Sequence, residues 1–413
     1  MRIAVLGAGA IGARYAAQLR TDGHRVVVLE SAGAAAGAGA DAGAGGGAGS
    51  RARSGLGPAL GLGSVDPAMV DVWAVVTPTP SRLGLLRGLL RLDPAARVLV
   101  EQPACSPRDL PALADAARDH PQARILVNDV YAHSPVVRRF AEVVHALADP
   151  GDPMARITVE FTKNRERDVV HGRFVDTEYG AAGYEWFHML SILRAILPPA
   201  VYERYLLATP AQIAPEMRVV VNGRPGLPEI TLHASTHGRI GFPGAACFAF
   251  SYPLARRRIA RGHIPYGSEL RYRFAEVEFA SGTRVTLVFE PRYQTAKDYR
   301  NVHTVHVHYA APAAVRGSAA AGRAAHRAYP LAVNQLREAL AVQLAALTAP
   351  DPASAPVLDA DAGPGEAAGL RSAEHRYLAM LAARPQAHQA ARDEGYRGGP
   401  PAAALLPRYA EPA

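Results

Sequence analysis

Three glycines near the N-terminus have the spacing of a phosphate-binding turn. Gly7, Gly9 and Gly12 form a complete G-x-G-x-x-G, with Ala10 and Ile11 between the last two. In this motif the first glycine makes a tight turn, the second lets the backbone approach a pyrophosphate, and the third lets a helix pack on a strand. N–H groups at the helix N-terminus then bind the phosphates. We therefore predict that these five residues form a dinucleotide site.

The segments around the motif follow the order that a dinucleotide-binding unit requires. Apolar runs at 2–6 and 25–29 predict buried strands, and residues 13–20 between them predict a helix. Glu30 ends the second strand, where a carboxylate accepts hydrogen bonds from a ribose 2′-hydroxyl and repels a 2′-phosphate. We expect NAD as the cofactor, with NADP as the second choice. The alternative is an ordinary βαβ unit that binds no ligand.

The composition of the chain narrows the class of protein. Of its 413 residues 49% are hydrophobic, yet no long uncharged apolar stretch occurs, and the chain begins with a strand. We therefore expect a globular, cytoplasmic protein without a transmembrane helix, a signal peptide or a membrane partner. The chain has only two cysteines, so we expect no disulfide framework. The formal charge is +8, but the arginines are spread along the chain, so we expect no nucleic-acid partner.

The first part of the chain, residues 1–150, predicts a Rossmann-type domain. Strands alternate with helices, which is typical of right-handed βαβ units and a parallel sheet. An insertion at 31–64 is almost pure Ala, Gly and Ser and predicts a flexible segment. The further predicted strands are 70–76, 97–100 and 124–127, and a predicted helix covers 107–120.

The pattern changes near Pro150, so we expect a second, α+β domain at 151–312. Apolar and polar residues alternate in several short segments, which predicts a large open, mainly antiparallel sheet. Ser281-Gly282 indicates a hairpin. The predicted strands are 157–161, 218–221, 276–280, 284–289 and 302–309, and the predicted helix is 181–197. An Ala- and Pro-rich extension, 313–413, carries helical patches near 330–347 and 370–384, a low-complexity linker between them, and a poorly ordered end.

This order of parts resembles the Gfo/Idh/MocA family of nicotinamide-dependent oxidoreductases over roughly residues 1 to 310. The family has a Thr-Pro after one strand, here Thr77-Pro78, and a Glu-Lys-Pro after the next, here Glu101-Gln102-Pro103. In its second domain a helix bears an Asp and, four residues on, a His; that spacing gives Tyr184 and His188. The resemblance implies that Thr77, Pro78, Glu101 and Gln102 line the cofactor site.

The chain also departs from the pattern of that family. The catalytic lysine is Gln102, whose amide carries no transferable proton, and the Asp before His188 is Tyr184. The histidine that usually follows Thr-Pro is Arg82. Biliverdin reductases and thiazolinyl imine reductases resemble the family while replacing this lysine. We therefore expect different proton chemistry at least as much as a loss of chemistry.

Hydride transfer needs a group that moves a proton on the substrate heteroatom, and four residues are candidates. His188, Glu185 and Tyr184 share one helix face, so Glu185 could orient the imidazole and Tyr184 could donate through its hydroxyl. The alternative is a structural histidine bonded to Glu185. Lys163 ends the first strand of the second domain and could replace the missing lysine; a solvated loop lysine is the alternative.

Two further residues are candidates for substrate contact. Tyr131 and His133 follow the strand at 124–127, at the carboxyl edge of the sheet where ligands of open α/β sheets bind. A loop histidine with ordinary hydrogen bonds explains His133 equally well. His306 and His308 lie two apart on one strand face, but no third ligand has obvious spacing, so we expect no metal.

Together these features predict an NAD(P)-dependent oxidoreductase acting on a small polar substrate, such as a sugar, a cyclitol or a related biosynthetic intermediate. One alternative is an imine or double-bond reductase of specialised metabolism. Another is a non-catalytic NAD-binding regulatory or scaffold protein. The broad polar sheet face predicts a homodimer or homotetramer.

Overall fold

The structure is a computed structural model, and the residues it describes fall into several ranges. They are 1–29, 65–167, 178–180, 182–214, 218–242, 262–291, 299–310, 326–350 and 371–384. The predicted insertion at 31–64, Glu30, and the predicted C-terminal linker and tail lie outside these ranges. The described residues form two compact units, which are treated one at a time.

A five-stranded parallel sheet is the centre of the first unit. Its strand order is β2-β1-β3-β4-β5. The strands are β1 (Arg2–Leu6), β2 (Arg25–Leu29), β3 (Val72–Val75), β4 (Arg97–Val100) and β5 (Arg124–Val127), and the helices are α1 (Ala10–Thr21), α2 (Thr79–Leu92) and α3 (Leu110–Asp119). Every residue of β3 is buried, as expected for a strand covered by helices on both faces. The predicted Rossmann-type sheet is confirmed.

Helix α2 shows how the sequence pattern produces this packing. It begins at Thr79, has Pro80 in its first turn, where the missing N–H costs no hydrogen bond, and buries one apolar stripe. Leu83, Leu86, Leu89 and Leu90 recur at helical spacing and pack in the core of the sheet. The loops at both ends of the helix are thereby fixed against the sheet.

The second unit contains a mixed, mainly antiparallel sheet of eight strands. Their order is β13-β12-β11-β10-β6-β9-β8-β7, and only β6 and β9 pair in parallel. The strands are β6 (Met154–Lys163), β7 (Gln212–Ala214), β8 (Arg218–Val221), β9 (Glu229–Ser235), β10 (Arg271–Phe279), β11 (Arg284–Phe289), β12 (Val302–His308) and β13 (His326–Ala332). The predicted large antiparallel sheet is confirmed.

Helices cover one face of this sheet. They are α4 (Pro135–Leu147), α5 (Ala182–Ile196), α6 (Pro199–Leu207) and, near the C-terminus, α8 (Ser372–Ala382); α7 (Gln335–Thr348) precedes α8 in the chain. Ile157, Val159 and Phe161 alternate along β6 and pack in one core cluster with Trp186 and Leu190 of α5. The period of two along the strand therefore decides which side chains face the helices.

Several boundaries differ from the predicted ones, for physical reasons. The hairpin at Ser281-Gly282 is confirmed, but β10 begins at Arg271 because its first five residues pair with β6 and β11. Helix α5 ends at Ile196, one residue before the predicted end, and a further helix, α6, then begins at Pro199, which is tolerated in its first turn. Strand β13 lies partly where a helix was predicted, because pairing with β12 overrides the local preference.

The bounds of the two units also differ from the expected domain ends near residues 150 and 312. The first unit comprises residues of 1–128 and 341–372, and the second comprises those of 129–340 and from 373 on. Helix α4 therefore belongs to the second unit, since its apolar face packs in the core of that unit. Strand β13 and helix α8 also belong there, although the sequence analysis assigned them to an extension. Among the described helices, none is both long and apolar enough to cross a bilayer.

Candidate functional site

The three motif glycines have the geometry that a phosphate-binding turn requires. Gly7 has a φ of +117°, a region that side chains rarely adopt. A Cβ on Gly12 would lie 1.8 Å from the carbonyl oxygen of Gly7, so helix and turn can approach only with glycine there. A Cβ on Gly9 would meet nothing within 4 Å. The fold itself therefore demands the first and third glycines, whereas Gly9 is exposed and has open space at its Cβ position.

That space lies at the N-terminus of helix α1. Gly9 is the N-cap residue, and no side chain caps the helix, which begins at Ala10 and continues through Ile11. The first N–H groups of a helix have no intrahelical acceptor, and the helix dipole favours an anion at this end. The open space at Gly9 and the free N–H donors of the helix N-terminus occur together, and this combination fits a bound pyrophosphate.

The loop after β3 lies beside this turn. Strands β1 and β3 are neighbours, so the strand order reverses next to β1, and ligands of open α/β sheets bind at such a point. A Cβ on Gly7 would lie 3.2 Å from the Thr77 methyl carbon. The Thr77 hydroxyl is buried and makes no hydrogen bond within the described part of the chain. It is therefore a polar group that a ligand next to Pro78 can satisfy.

A buried arginine joins this loop to the next one. Arg82 of α2 donates from Nε to the Thr77 carbonyl at 2.7 Å and from Nη1 to the Glu101 carbonyl at 2.7 Å. Its Nη1 also donates to the Pro103 carbonyl. The residue that replaces the histidine of the resembled family therefore holds together the two loops that follow β3 and β4.

Glu101 and Gln102 occupy the loop after β4. The Glu101 carboxylate accepts hydrogen bonds from the Tyr15 hydroxyl of α1 and, at 3.0 Å, from Asn128 Nδ2. Burial raises the pKa of Tyr15 well above its usual value, and Glu101 adds to the shift. Gln102 is half-buried. The predicted cofactor residues of the first unit thus lie at one end of the parallel sheet, except Glu30, which lies outside the described residues.

In the second unit, one carboxylate on α5 organises the predicted catalytic residues. Both Glu185 oxygens accept hydrogen bonds from Arg273 Nη2 at 2.7 Å, and Arg165 Nη2 donates to Oε1 at 2.7 Å. Burial alone would raise the pKa of Glu185, but Arg273 and Arg165 lower it to about 2. Glu185 is therefore an anion at neutral pH and holds the two guanidinium groups in place.

Tyr131 and His188 meet beside this ion cluster. Their ring centroids are 4.5 Å apart, and the Tyr131 hydroxyl accepts a hydrogen bond from Arg273 Nη1 at 3.1 Å. Burial raises the pKa of Tyr131 to about 12, against the opposing effect of Arg273, so the phenol remains protonated at neutral pH. Phe161 and Phe289 lie 5.4 and 5.2 Å from the Tyr131 ring. The Tyr131 phenol, a proton donor, and the His188 imidazole thus lie next to other aromatic side chains.

The structure places the other predicted residues as follows. Lys163 is the last residue of β6, only 5% exposed and opposite Arg271 of β10, so the alternative of a solvated loop lysine is wrong. Tyr184 lies on α5, but its side chain is outside the described part, and its role stays a prediction. His133 is half-buried in the turn before α4.

The charged residues around Glu185 were not predicted from the sequence. Arg165 follows β6, Arg271 and Arg273 lie on β10, and Glu290 directly follows β11. A signal existed, because two arginines two positions apart share a face of any strand that contains them. The predicted strand began at residue 276 and therefore excluded both.

Three histidines lie close together in the second unit, on strands β12 and β13. The rings of His306 and His308 each stack on that of His326, with centroids 5.3 and 4.7 Å apart. His306 Nδ1 is 3.1 Å from His326 Nε2. Within the described residues, no group of three or more His, Cys, Asp or Glu side chains could hold a metal ion.

Comparison with solved structures establishes the fold. A candidate NADPH-dependent oxidoreductase from Desulfitobacterium hafniense shares a TM-score of 0.55 at 10% identity, covering 92% of this chain and 93% of that one. A candidate myo-inositol dehydrogenase from Sinorhizobium meliloti gives 0.52 at 14% identity, covering 94% and 98%. The 3-ketoreductase KijD10 from Actinomadura kijaniata, crystallised with TDP-benzene and NADP, gives 0.50 at 14% identity, covering 92% and 95%.

At these identities the similarity shows a shared fold over nearly the whole length of each chain. No protein-family profile matches the sequence, and no curated protein matches it.

Proposed function

We propose that the protein is a nicotinamide-dependent oxidoreductase acting on a small polar substrate, and a divergent relative of the Gfo/Idh/MocA family. The observation that carries the proposal is the combination, at Gly9, of open space and a helix N-terminus that no side chain caps. An ordinary βαβ unit needs neither this missing side chain nor a buried Thr77 hydroxyl that makes no hydrogen bond to the described residues. Both features fit a dinucleotide.

The residues of the first unit have distinct roles toward this cofactor. The turn and helix start, Gly7, Gly9, Ala10, Ile11 and Gly12, hold the pyrophosphate, and Glu30 is proposed to bind the ribose. The loops held by Arg82 present Thr77, Pro78, Glu101 and Gln102. A bound nicotinamide would supply or accept the hydride.

The solved structures support the same class of reaction. KijD10 is described as a 3-ketoreductase with bound NADP, and the Sinorhizobium protein as a candidate myo-inositol dehydrogenase. Because one fold hosts many reactions, these names support an oxidoreductase of sugar-like or cyclitol-like compounds without fixing the substrate.

The proton chemistry is assigned to the second unit. His188 is the proposed proton-transfer residue, and the protonated Tyr131 phenol beside it can bind and polarise a substrate oxygen or nitrogen. Glu185 is bonded to two arginines, so we assign it a positioning role: it fixes Arg273, which in turn fixes the Tyr131 hydroxyl. Lys163 is retained as the alternative proton carrier.

One observation favours a second candidate, an imine or double-bond reductase. Tyr131, with a pKa of about 12, is an acid at neutral pH, and an acid assists reduction more than oxidation. Gln102, in place of the lysine of the resembled family, supplies no transferable proton. A substrate nitrogen that already carries a proton needs less help of this kind.

The proposal is tested by titrating the purified protein with NADH and with NADPH. Binding is followed by tryptophan fluorescence, to which Trp73 of β3, close to the loop that carries Thr77, and Trp186 of α5 both contribute. We expect saturable quenching at micromolar concentrations, tighter for NADH. If neither nucleotide binds up to millimolar concentration, the proposed function is wrong.

A further inference from the structure

We propose that the substrate carries an anionic group, a carboxylate or a phosphate, which binds to Arg271. This inference rests on the proposed function, because it names a chemical feature of the substrate that the second unit would take. The observations behind it are the positive charges around Glu185 and the partners that each of them has.

Three guanidinium groups gather on this part of the second unit. Arg271 and Arg273 lie two positions apart on β10, and both share the helix-covered face with Phe161. Arg165 and Arg273 are both bonded to Glu185. Burial lowers the pKa of Arg271 and Arg273 lowers it further, against the opposing effect of Glu290. Burial and a neighbouring guanidinium thus disfavour the charge of Arg271, which Glu290 offsets only in part, and a bound anion would stabilise that charge further.

Arg271 is incompletely paired. Its Nη1 donates to Glu290 Oε1 at 3.2 Å, and the described residues provide no partner for its Nε or Nη2. The side chain is 21% exposed, so a ligand can reach it. A guanidinium has five N–H donors in a planar fork that matches the two oxygens of a carboxylate or a phosphate. The unused donors therefore suit an anion better than a neutral hydroxyl.

Glu290 adds a second element of recognition. Its φ of +55° is rarely adopted by a residue with a side chain, and such backbone strain concentrates at ligand-binding sites. The side chain is buried, Oε1 binds Arg271, and Oε2 has no hydrogen-bond partner among the described residues. A buried carboxylate oxygen without a donor is costly, which a hydroxyl or amine of the substrate would remedy.

The two residues together define a substrate fragment. Arg271 requires an anionic group, and Glu290 Oε2 requires a hydrogen-bond donor close to it. A 2-hydroxy or 2-amino carboxylate has both features on adjacent carbons, and a phosphorylated polyol has them on neighbouring atoms. Tyr131 lies near this pair, since the charges of both Arg271 and Glu290 affect its pKa.

The test uses small probe anions and the full-length protein saturated with NADH. Inorganic phosphate, acetate and lactate are titrated by calorimetry at constant ionic strength. We expect one of the two anion classes to bind the wild type in the millimolar range. If carboxylates are preferred, lactate should bind about tenfold tighter than acetate, because its hydroxyl can donate to Glu290.

The variants identify the residue responsible. Arg271→Gln should weaken anion binding at least tenfold, and Arg271→Lys should weaken it less, because it keeps the charge but loses the fork. Arg156→Gln, an exposed arginine on β6, is the control and should bind anions as the wild type does. Arg271→Lys also keeps the test valid if Arg271→Gln fails to fold.

Several results would overturn the proposal. These are no binding of any probe anion to the wild type, equal binding by the wild type and both Arg271 variants, or an equal loss in Arg156→Gln. NADH binding is measured separately for every protein. A wild type that binds no NADH would refute the proposed function, whereas loss of anion binding with NADH binding intact concerns Arg271 alone.

Discussion

Charge and protonation distinguish the residues around Glu185 from an ordinary polar cluster. Glu185 has a pKa of about 2 because two guanidinium groups bind it, and Tyr131 has a pKa of about 12 because it is buried. The cluster therefore combines a permanent anion, a permanent acid and the neighbouring imidazole of His188. In the proposed reaction, Tyr131 and His188 are the groups that could move a proton, and Glu185 positions Arg273 beside them.

The first prediction at this scale concerns His188. Replacing it with Ala should lower turnover of an identified substrate by about 10²–10⁴-fold while NADH affinity stays unchanged, because only the proton step is lost. Steady-state kinetics combined with NADH titration provide the measurement. Lys163→Met is the comparison: a loss of rate there and not at position 188 would move the assignment to β6.

The sequence predicted part of this cluster. The helical spacing of Glu185 and His188 was sufficient to place both on α5, and this is confirmed. The partner of Glu185 could not be found in the same way, since Arg273 lies 88 positions away on a strand. Contacts across a sheet depend on strand register, which local sequence patterns leave undetermined.

At the scale of elements, helix α2 connects the loops of the first unit. Arg82 is its buried residue with three backbone acceptors, and these belong to Thr77, Glu101 and Pro103. Replacing Arg82 with Met would leave buried carbonyl groups without donors, at a cost of about 1–3 kcal/mol for each one that water cannot reach.

We therefore predict that Arg82→Met lowers the thermal unfolding midpoint and weakens NADH binding together. Arg87→Met, an exposed arginine on the same helix, should change neither property. Differential scanning calorimetry and NADH titration of the three proteins provide the comparison. An Arg82→Met protein as stable as Arg87→Met would show that the loops do not depend on this guanidinium group.

Two histidines of strand β12 lead to a prediction of how the stability of the fold depends on pH. Burial, and then His326 nearby, lower the pKa values of His306 and His308 to about 4. Since the ordinary histidine value is about 6.5, the unfolded chain binds more protons between pH 6.5 and 4. The stability that these groups contribute is present above pH 6.5 and is lost as the pH falls toward 4.

The measurement is the urea midpoint as a function of pH. The wild type should lose stability between pH 6.5 and 4, and the double variant His306→Thr/His308→Thr should lose less over the same range. Glu160, whose pKa burial raises to about 7, is present in both proteins, so its opposite pH dependence cancels in the comparison. Parallel curves for the two proteins would contradict the assignment.

At the scale of the molecule, the classes of both sheets followed from the sequence, but strands β7, β9 and β13 and helices α4 and α6 were not predicted. Apolar runs, turn residues and the change from alternating helices and strands to period-two strands predicted both sheets, and this is confirmed. The limits of the units did not follow, because helix α4 and strand β13 join the second unit through long-range packing and pairing. Composition alone assigned β13 to an Ala-rich extension.

The oligomeric state remains a prediction at this scale. The sheet face opposite the helices carries exposed cross-strand ion pairs at one end, where Arg156 binds Glu229 and Glu278. We expect a second copy of the chain to cover part of this face, giving a dimer or a tetramer. Light scattering at micromolar concentration measures the mass, and a clean monomer would contradict the expectation.

The central claim, that the first unit binds a nicotinamide dinucleotide, is tested most directly at Gly9. A Cβ at Gly9 or at Gly84 of α2 meets nothing within 4 Å, so both positions accept alanine without disturbing the fold. Only Gly9 adjoins the proposed pyrophosphate position. NADH titration should therefore show that Gly9→Ala loses affinity by about tenfold or more. Gly84→Ala should bind NADH as the wild type does, and both variants should be folded. Gly9→Ala binding NADH as tightly as Gly84→Ala would contradict the account.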